Sequence, residues 1–170
     1  MNYKIRPIEK SDNEAIKGII FLVSEEYGTY DPNSKQGAGA GAGDLEIEDL
    51  YNAYNNSYSK YWVIVEENSN KIIGGGGFSK LKNSNDIDQI CEMQKVFLLK
   101  EYRGKGLGRE LVSLIVDSAK KYGYKVMYLE SVKQMKEARS LYQKLGFTDL
   151  KNELGNTGHF QCNVFMSKKL

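Results

Sequence analysis

The chain has 170 residues, 24 Lys and Arg against 22 Asp and Glu, and a formal net charge of +2 with its single histidine, His159, neutral. That length fits one domain over 1–170, and 41% hydrophobic with 27% charged residues excludes both disorder and a disulfide scaffold. The balance of charge excludes bulk attraction to nucleic acid or an anionic membrane, and one histidine excludes multi-histidine metal sites, so no metal is expected.

Cys91 and Cys162 are too far apart for a CxxC clip, and neither a leader nor an apolar run of about eighteen residues is present, which points to the reducing cytoplasm. Tyr3 to Ile8 alternates polar and apolar residues and predicts a strand. Ser11 and Glu14 have the spacing of a capping box, and Ala15, Ile16, Ile19, Ile20 and Val23 give a helical face that ends near Gly28. Residues 28–43, with Asp31-Pro32-Asn33 and a Gly-Ala run from Gly37 to Gly43, read as a mobile loop. A short acidic helix follows over Asp44 to about Tyr54, with Leu45, Leu50 and Tyr51 on one side.

Tyr61 to Glu66 and Lys71 to Ile73 flank an Asn-Ser-Asn turn and predict a hairpin. The glycines at 74–77 weaken a strand, so a bulge or a close backbone approach is expected there. Gln89 to Leu98 is a strongly patterned strand. Leu107 to Ala119 then makes a helix stopped at Gly123, Val126 to Leu129 a buried strand, and Ala138 to Leu145 a helix capped by Gly146. Phe147 onward and His159 to Met166 supply the last strands. Strands alternating with helices imply an α/β layer, and the early hairpin makes its sheet mixed, with edges that permit a homodimer.

The chemistry concentrates in Arg103-Gly104-Lys105-Gly106-Leu107-Gly108-Arg109, between a strong strand and a strong helix. A glycine-rich strand-to-helix turn presents backbone N–H groups at the positive end of the helix dipole, a geometry suited to pyrophosphate. Arg103, Lys105 and Arg109 add positive charge at that place. A Walker loop needs Lys-Ser or Lys-Thr after its last glycine, and a dinucleotide fingerprint needs GxGxxG; neither is present.

The segment resembles the acyl-CoA loop of the GCN5-related N-acetyltransferase (GNAT) superfamily, Arg/Gln-x-x-Gly-x-Gly/Ala, with Gln94 to Leu98 as the preceding strand and Ala138 to Phe147 as the later helix and its exit. The resemblance implies a single-domain α/β fold of the α+β type, with a mixed sheet of about six to seven strands flanked by helices. It also implies acetyl-CoA as the acetyl donor. Val96, Phe97 and Leu98 are then expected to meet the pantetheine and acetyl group through backbone groups that polarise the thioester carbonyl. Arg103, Gly104, Lys105, Gly106, Leu107, Gly108 and Arg109 are expected at the pyrophosphate. The chain departs from the family pattern at Met135, where Asn is common, and at Lys100, where proline is common.

Acetyl transfer to an amine needs a base, because an alkyl ammonium has a pKa of about 10.4. Glu92 is the candidate, a mid-strand carboxylate whose alternation places it on the face of Val96 and Leu98. Tyr142 falls where the family's general acid lies and donates to the departing thiolate. Cys91 and Cys162 read as core thiols and His159 as a hydrogen-bonding residue at a strand entry. Asp44, Glu46, Glu48 and Asp49 are placed to attract a cationic acceptor. The function read from this is N-acetyl transfer to a primary amine of a small metabolite or peptide by direct attack in a ternary complex, with no nucleic-acid or membrane partner. The alternative is a CoA-binding sensor or interaction module without turnover.

Overall fold

In the computed structural model of the chain, the described residues are 2–30, 44–82, 89–155, 157–159 and 161–170. The Gly-Ala run and Asp31-Pro32-Asn33 lie outside them. Strand β1 (Tyr3–Pro7) pairs antiparallel with β2 (Lys60–Glu66), β2 with β3 (Lys71–Lys80), and β3 with β4 (Ile90–Leu98). Strand β5 (Val126–Ser131) lies parallel to β4, and β7 (Val164–Lys169) runs antiparallel between β5 and the short β6 (Thr148–Asp149). Among the described residues this is a seven-stranded mixed sheet of an α+β fold, in the order β1-β2-β3-β4-β5-β7-β6. No helix among them is long and apolar enough to cross a membrane.

Helix α1 (Asn13–Glu26) and helix α3 (Leu107–Lys121) cover opposite faces of the sheet. The glycines of β3 show why the faces can close. A Cβ on Gly75 would stand 2.9 Å from Ile16 of α1 and 2.9 Å from the Tyr61 ring, and one on Gly76 would stand 3.1 Å from Ile115 of α3. β3 continues through its glycines as a strand, and both features expected of this run are present: its register with β4 shifts between Gly75 and Gly77, and a Cβ on Gly74 or Gly75 would stand 2.6 Å or 2.7 Å from the backbone carbonyl oxygen of Phe97 or Trp62. Ile16, Ile20, Leu111 and Ile115 are at most 1% exposed, and each such side chain contributes about 1.5–3 kcal/mol of burial.

Several local expectations are corrected. Ser11 does not cap α1. It sits in a 3-10 turn, Lys10–Asp12, and the Asp12 carboxylate accepts from the Glu9 N–H at 2.8 Å while gripping Arg6 at 2.6 and 2.9 Å. Ala15 faces solvent. The acidic helix is a 3-10 stretch, Leu45–Asp49, followed by α2 (Leu50–Tyr54); Ile47, Leu50 and Tyr54 are buried there, whereas Leu45 is 91% exposed. The last long strand starts at Val164, so His159 and residues 161–163 lie outside it.

The shift between β3 and β4 has a larger consequence. Lys95 adopts φ 53°, and with Gly75 opposite Phe97 but Gly77 opposite Gln94, β4 carries one extra residue. Residues directly opposite in an antiparallel pair share a face. Glu92 and Gln94 therefore side with Phe97, on the face of Gly75 and Gly77. The alternation that grouped Glu92 with Val96 and Leu98 is broken by this bulge.

Candidate active site

β4 and β5 pair only from Ile90 with Val126 to Met93 with Leu129; β5 then follows β7 as far as Ser131 with Val164. The strands part after Met93, and among the described residues the edge of β4 from Gln94 to Leu98 that faces β5 is left without a ladder partner. An extended amide-bearing chain can add to such an edge as an extra strand does. Beside it opens a cleft of about 700 Å³, lined by Val96, Phe97 and Leu98, by the turn before α3, and by helix α4 (Lys136–Lys144). The face of α4 toward this cleft, Ala138 and Leu141, is only half-buried.

The turn has the form that a phosphate cradle requires. Gly104 and Gly106 have φ 74° and 87°, Gly106 is the N-cap of α3, and a Cβ on either would meet nothing within 4 Å. These glycines serve backbone conformation rather than packing. Eight of the ten residues expected at the cofactor line the cleft: Val96, Phe97, Leu98, Arg103, Gly104, Gly106, Gly108 and Arg109. Leu107 instead anchors α3 in the core at 1% exposure. Lys105 turns away, its Nζ donating to the Glu101 carbonyl at 2.7 Å and lying 5.3 Å from the Tyr102 ring centroid. Arg103 is partly committed: Nη1 and Nη2 grip Glu26 at 2.7 and 2.8 Å, and Nε donates to the Leu98 carbonyl at 2.9 Å. It ties the end of α1 to the exit of β4.

A second, smaller cavity of about 60 Å³ continues from the cleft and is lined by Asp44, Glu92, Glu130, His159 and Cys162. Val96, Phe97, Met135 and Tyr142 line both and mark the junction. Tyr142 is 7% exposed, and burial pushes its phenol up to about 12, so it stays protonated and able to donate. Glu92 is 1% exposed; Gln94 Nε2 donates to its Oε2 at 2.6 Å, and the Tyr54 hydroxyl donates to Gln94 Oε1 at 2.7 Å.

Around Glu92 stands a charge network that the sequence reading missed. His159 Nδ1 lies 3.5 Å from Glu92 Oε1 and 3.7 Å from Glu130 Oε2, and its Nε2 lies 3.2 Å from Asp44 Oδ2. Burial disfavours the imidazolium, but the three carboxylates outweigh it and raise His159 to about 12. Lys95, with a side chain 1% exposed, donates to Asp44 at 2.7 Å and to Glu46 at 3.2 Å. Burial works against its charge too, yet Tyr54, Asp44 and Glu46 push it above the ordinary lysine range. Asp44 is held well below the usual carboxylate range, because His159 and Lys95 overcome the effect of burial.

Of the four acids expected near the acceptor, Asp44 and Glu46 take part. Glu48 pairs with Lys17 at 2.6 Å, and Asp49 accepts from Asn13 and Asn52. Cys91 is a buried thiol as expected, whereas Cys162 is only half-buried and lines the small cavity. The bulge explains why Lys95 was missed: an αL residue turns its side chain out of the strand's alternation.

Residues 25–147 match the model of the acetyltransferase (GNAT) family. The uncharacterized N-acetyltransferase YjgM of Escherichia coli strain K12 is 38% identical over 167 residues, covering 98% of this chain and 94% of that protein. A GNAT-family acetyltransferase from Staphylococcus aureus Mu50 has the same fold, with a TM-score of 0.80 at 20% identity over 99% of both chains. The yncA protein of Salmonella typhimurium, solved with its cofactor acetyl-CoA, has a TM-score of 0.75 at 23% identity over 99% of this chain and 94% of that one.

Proposed function

Because the chain belongs to the GNAT family of N-acetyltransferases, we propose that it transfers acetyl from acetyl-CoA to a primary amine of a small metabolite or peptide by direct attack in a ternary complex. The observation that carries this reading is the junction: a long cleft and a small charged cavity meet at Val96, Phe97, Met135 and Tyr142. Two substrates can reach that point from opposite sides, and no acyl-enzyme is required.

Acetyl-CoA supplies an activated thioester. The open β4 edge and the N–H groups of residues 104–109 fit its pantetheine and pyrophosphate, with Arg109 at the same turn. Glu92 takes the ammonium proton, directly or through water. His159 does not compete for that role, since carboxylates at both ring nitrogens keep it protonated. Tyr142 returns a proton to the departing thiolate. Asp44, Glu46, Glu92 and Glu130 outnumber Lys95 and His159, and Lys82 reaches Glu46 only from the surface, so the cavity favours an acceptor that carries positive charge.

Release of CoA thiol across alkylamines, polyamines, amino acids and peptides tests this. The expected outcome is turnover greatest with cationic amines, and initial-rate lines that intersect. Parallel lines exclude the ternary complex, and tight CoA binding with no turnover on any amine overturns the reading. Tyr142→Phe should lower kcat and leave CoA affinity nearly unchanged; an unaltered kcat rejects its role as acid.

A further inference from the structure

The transferase reading gives no task to Cys162 and none to the far side of His159. A carboxylate oxygen of Glu130, a ring nitrogen of His159 and the Cys162 sulfur all lie within 4.8 Å of one another. The Glu130 side chain is 2% exposed, and its Oε2 has no hydrogen-bond partner among the described residues. Its closest cation, His159 Nδ1, is 3.7 Å away, beyond hydrogen-bond range. An orphaned buried carboxylate oxygen is costly and needs a reason. On the opposite side of the ring, Nε2 is 3.2 Å from Asp44 Oδ2. That is the carboxylate contact by which metal-ligating histidines are held with the other nitrogen facing the ion.

We propose that Glu130 Oε2, His159 Nδ1 and Cys162 Sγ form a binding site for a divalent ion of the zinc class. Tetrahedral zinc, with bonds of about 2.0–2.3 Å, sets its donors roughly 3.3–3.6 Å apart. Nδ1 already stands 3.7 Å from Glu130 Oε2 and 3.5 Å from Glu92 Oε1, which makes Glu92 or solvent the fourth donor. From the 4.8 Å bound, Cys162 has to close by at most about 1.5 Å. A thiolate and an imidazole beside a carboxylate select zinc-class ions over magnesium or calcium.

The charge balance permits the exchange. Asp44, Glu92 and Glu130 with an imidazolium and a thiol sum to −2. With a dication, a neutral ring and a thiolate the sum is again −2, the ring proton and the thiol proton having left to solvent. No net charge enters or leaves the buried site. The expectation of no metal rested on counting histidines, and this mixed set needs only one.

The test uses the full chain without a histidine tag at pH 8, with Co²⁺ as a spectroscopic probe and retained CoA binding as the check of folding. One equivalent should give the visible bands of tetrahedral cobalt with thiolate charge transfer, be displaced by Zn²⁺, and protect Cys162 from alkylation. Cys162→Ser should abolish the charge-transfer band, and Asp44→Asn should weaken binding about 10- to 100-fold. Absence of tetrahedral bands in the wild type, or an identical cobalt titration in folded Cys162→Ser, overturns the proposal.

Discussion

The cleft beside α3 and the cavity around Glu92 share four residues at their junction, yet they are made from different materials. The cleft is backbone: an unpaired strand edge, two glycines at positive φ, and the first turn of a helix. Its charged side chains are exposed or, like Arg103, already engaged with protein, and Lys105 of the same turn is folded away from it. The cavity is side chain: buried acids and bases from Asp44, β4, β5 and the segment before β7, which face one another and leave Glu130 Oε2 without a hydrogen-bond partner among the described residues. A backbone site tolerates changes of side chain but not of dihedral angle. A charge network is sensitive in the opposite sense.

The largest effect that tests this contrast is Glu92→Gln. Removing a general base costs about 10²- to 10⁴-fold in rate, and kcat should fall by that much while CoA still binds. A variant that loses CoA binding as well as turnover shows that the two regions do not act separately.

Next comes Lys95→Met, which strands Asp44 and Glu46 beside an apolar stem. Breaking a buried ion pair costs about 3–5 kcal/mol, and the lower end is expected because Glu46 keeps Lys82. The sign of the pH dependence follows from the carboxylates. Both are lowered from ordinary values of 3.8 and 4.5, so their stabilisation is present above those values and is lost as pH falls through the lowered ones. The gap in melting temperature between wild type and Lys95→Met should be widest near pH 7 and narrow below about pH 4.5. A gap independent of pH assigns the loss to packing instead.

The same contrast decides what could be read from the sequence. The turn from Arg103 to Arg109 was legible because its glycines, its basic residues and the helix they open are consecutive. The sheet was legible because the strands carry their own patterns. The cavity was not, since its partners lie as far as 115 positions apart, as His159 and Asp44 do, and nothing local marks them as neighbours. Lys95 was hidden by a bulge that no alternation predicts, and that bulge also moved Glu92 to the face of Phe97. Glu92 itself was found because a carboxylate in an apolar strand is anomalous wherever its partners are.

On the backbone side, Gly106→Ala isolates conformation from contact, because the added methyl meets nothing within 4 Å. Holding alanine at φ 87° costs about 1–2 kcal/mol. The loop escapes this strain by leaving the left-handed region, which turns its N–H groups away, and CoA must then pull it back. Calorimetric titration should show CoA binding weakened roughly 5- to 30-fold, with any turnover at saturating CoA nearly intact. A full-strength Kd implies that the N–H groups of this turn do not hold the phosphates.

The smallest expected effect is the most exacting for the comparison. Lys105 stands in the middle of the cradle sequence, and charge alone places it on a phosphate. Its side chain is exposed and folded over Tyr102 onto the Glu101 carbonyl, and it does not line the cleft. An exposed charge directed away from its target acts only through screened solvent. Lys105→Ala should therefore change the Kd for CoA by less than about twofold, whereas Arg109→Ala, removing a side chain that lines the cleft, should weaken binding more. Should Lys105→Ala instead weaken CoA tenfold, the side chain must leave Tyr102 to meet the ligand. The cradle is then assembled from mobile charge as much as from backbone, and the distinction between the two regions holds only before the cofactor arrives.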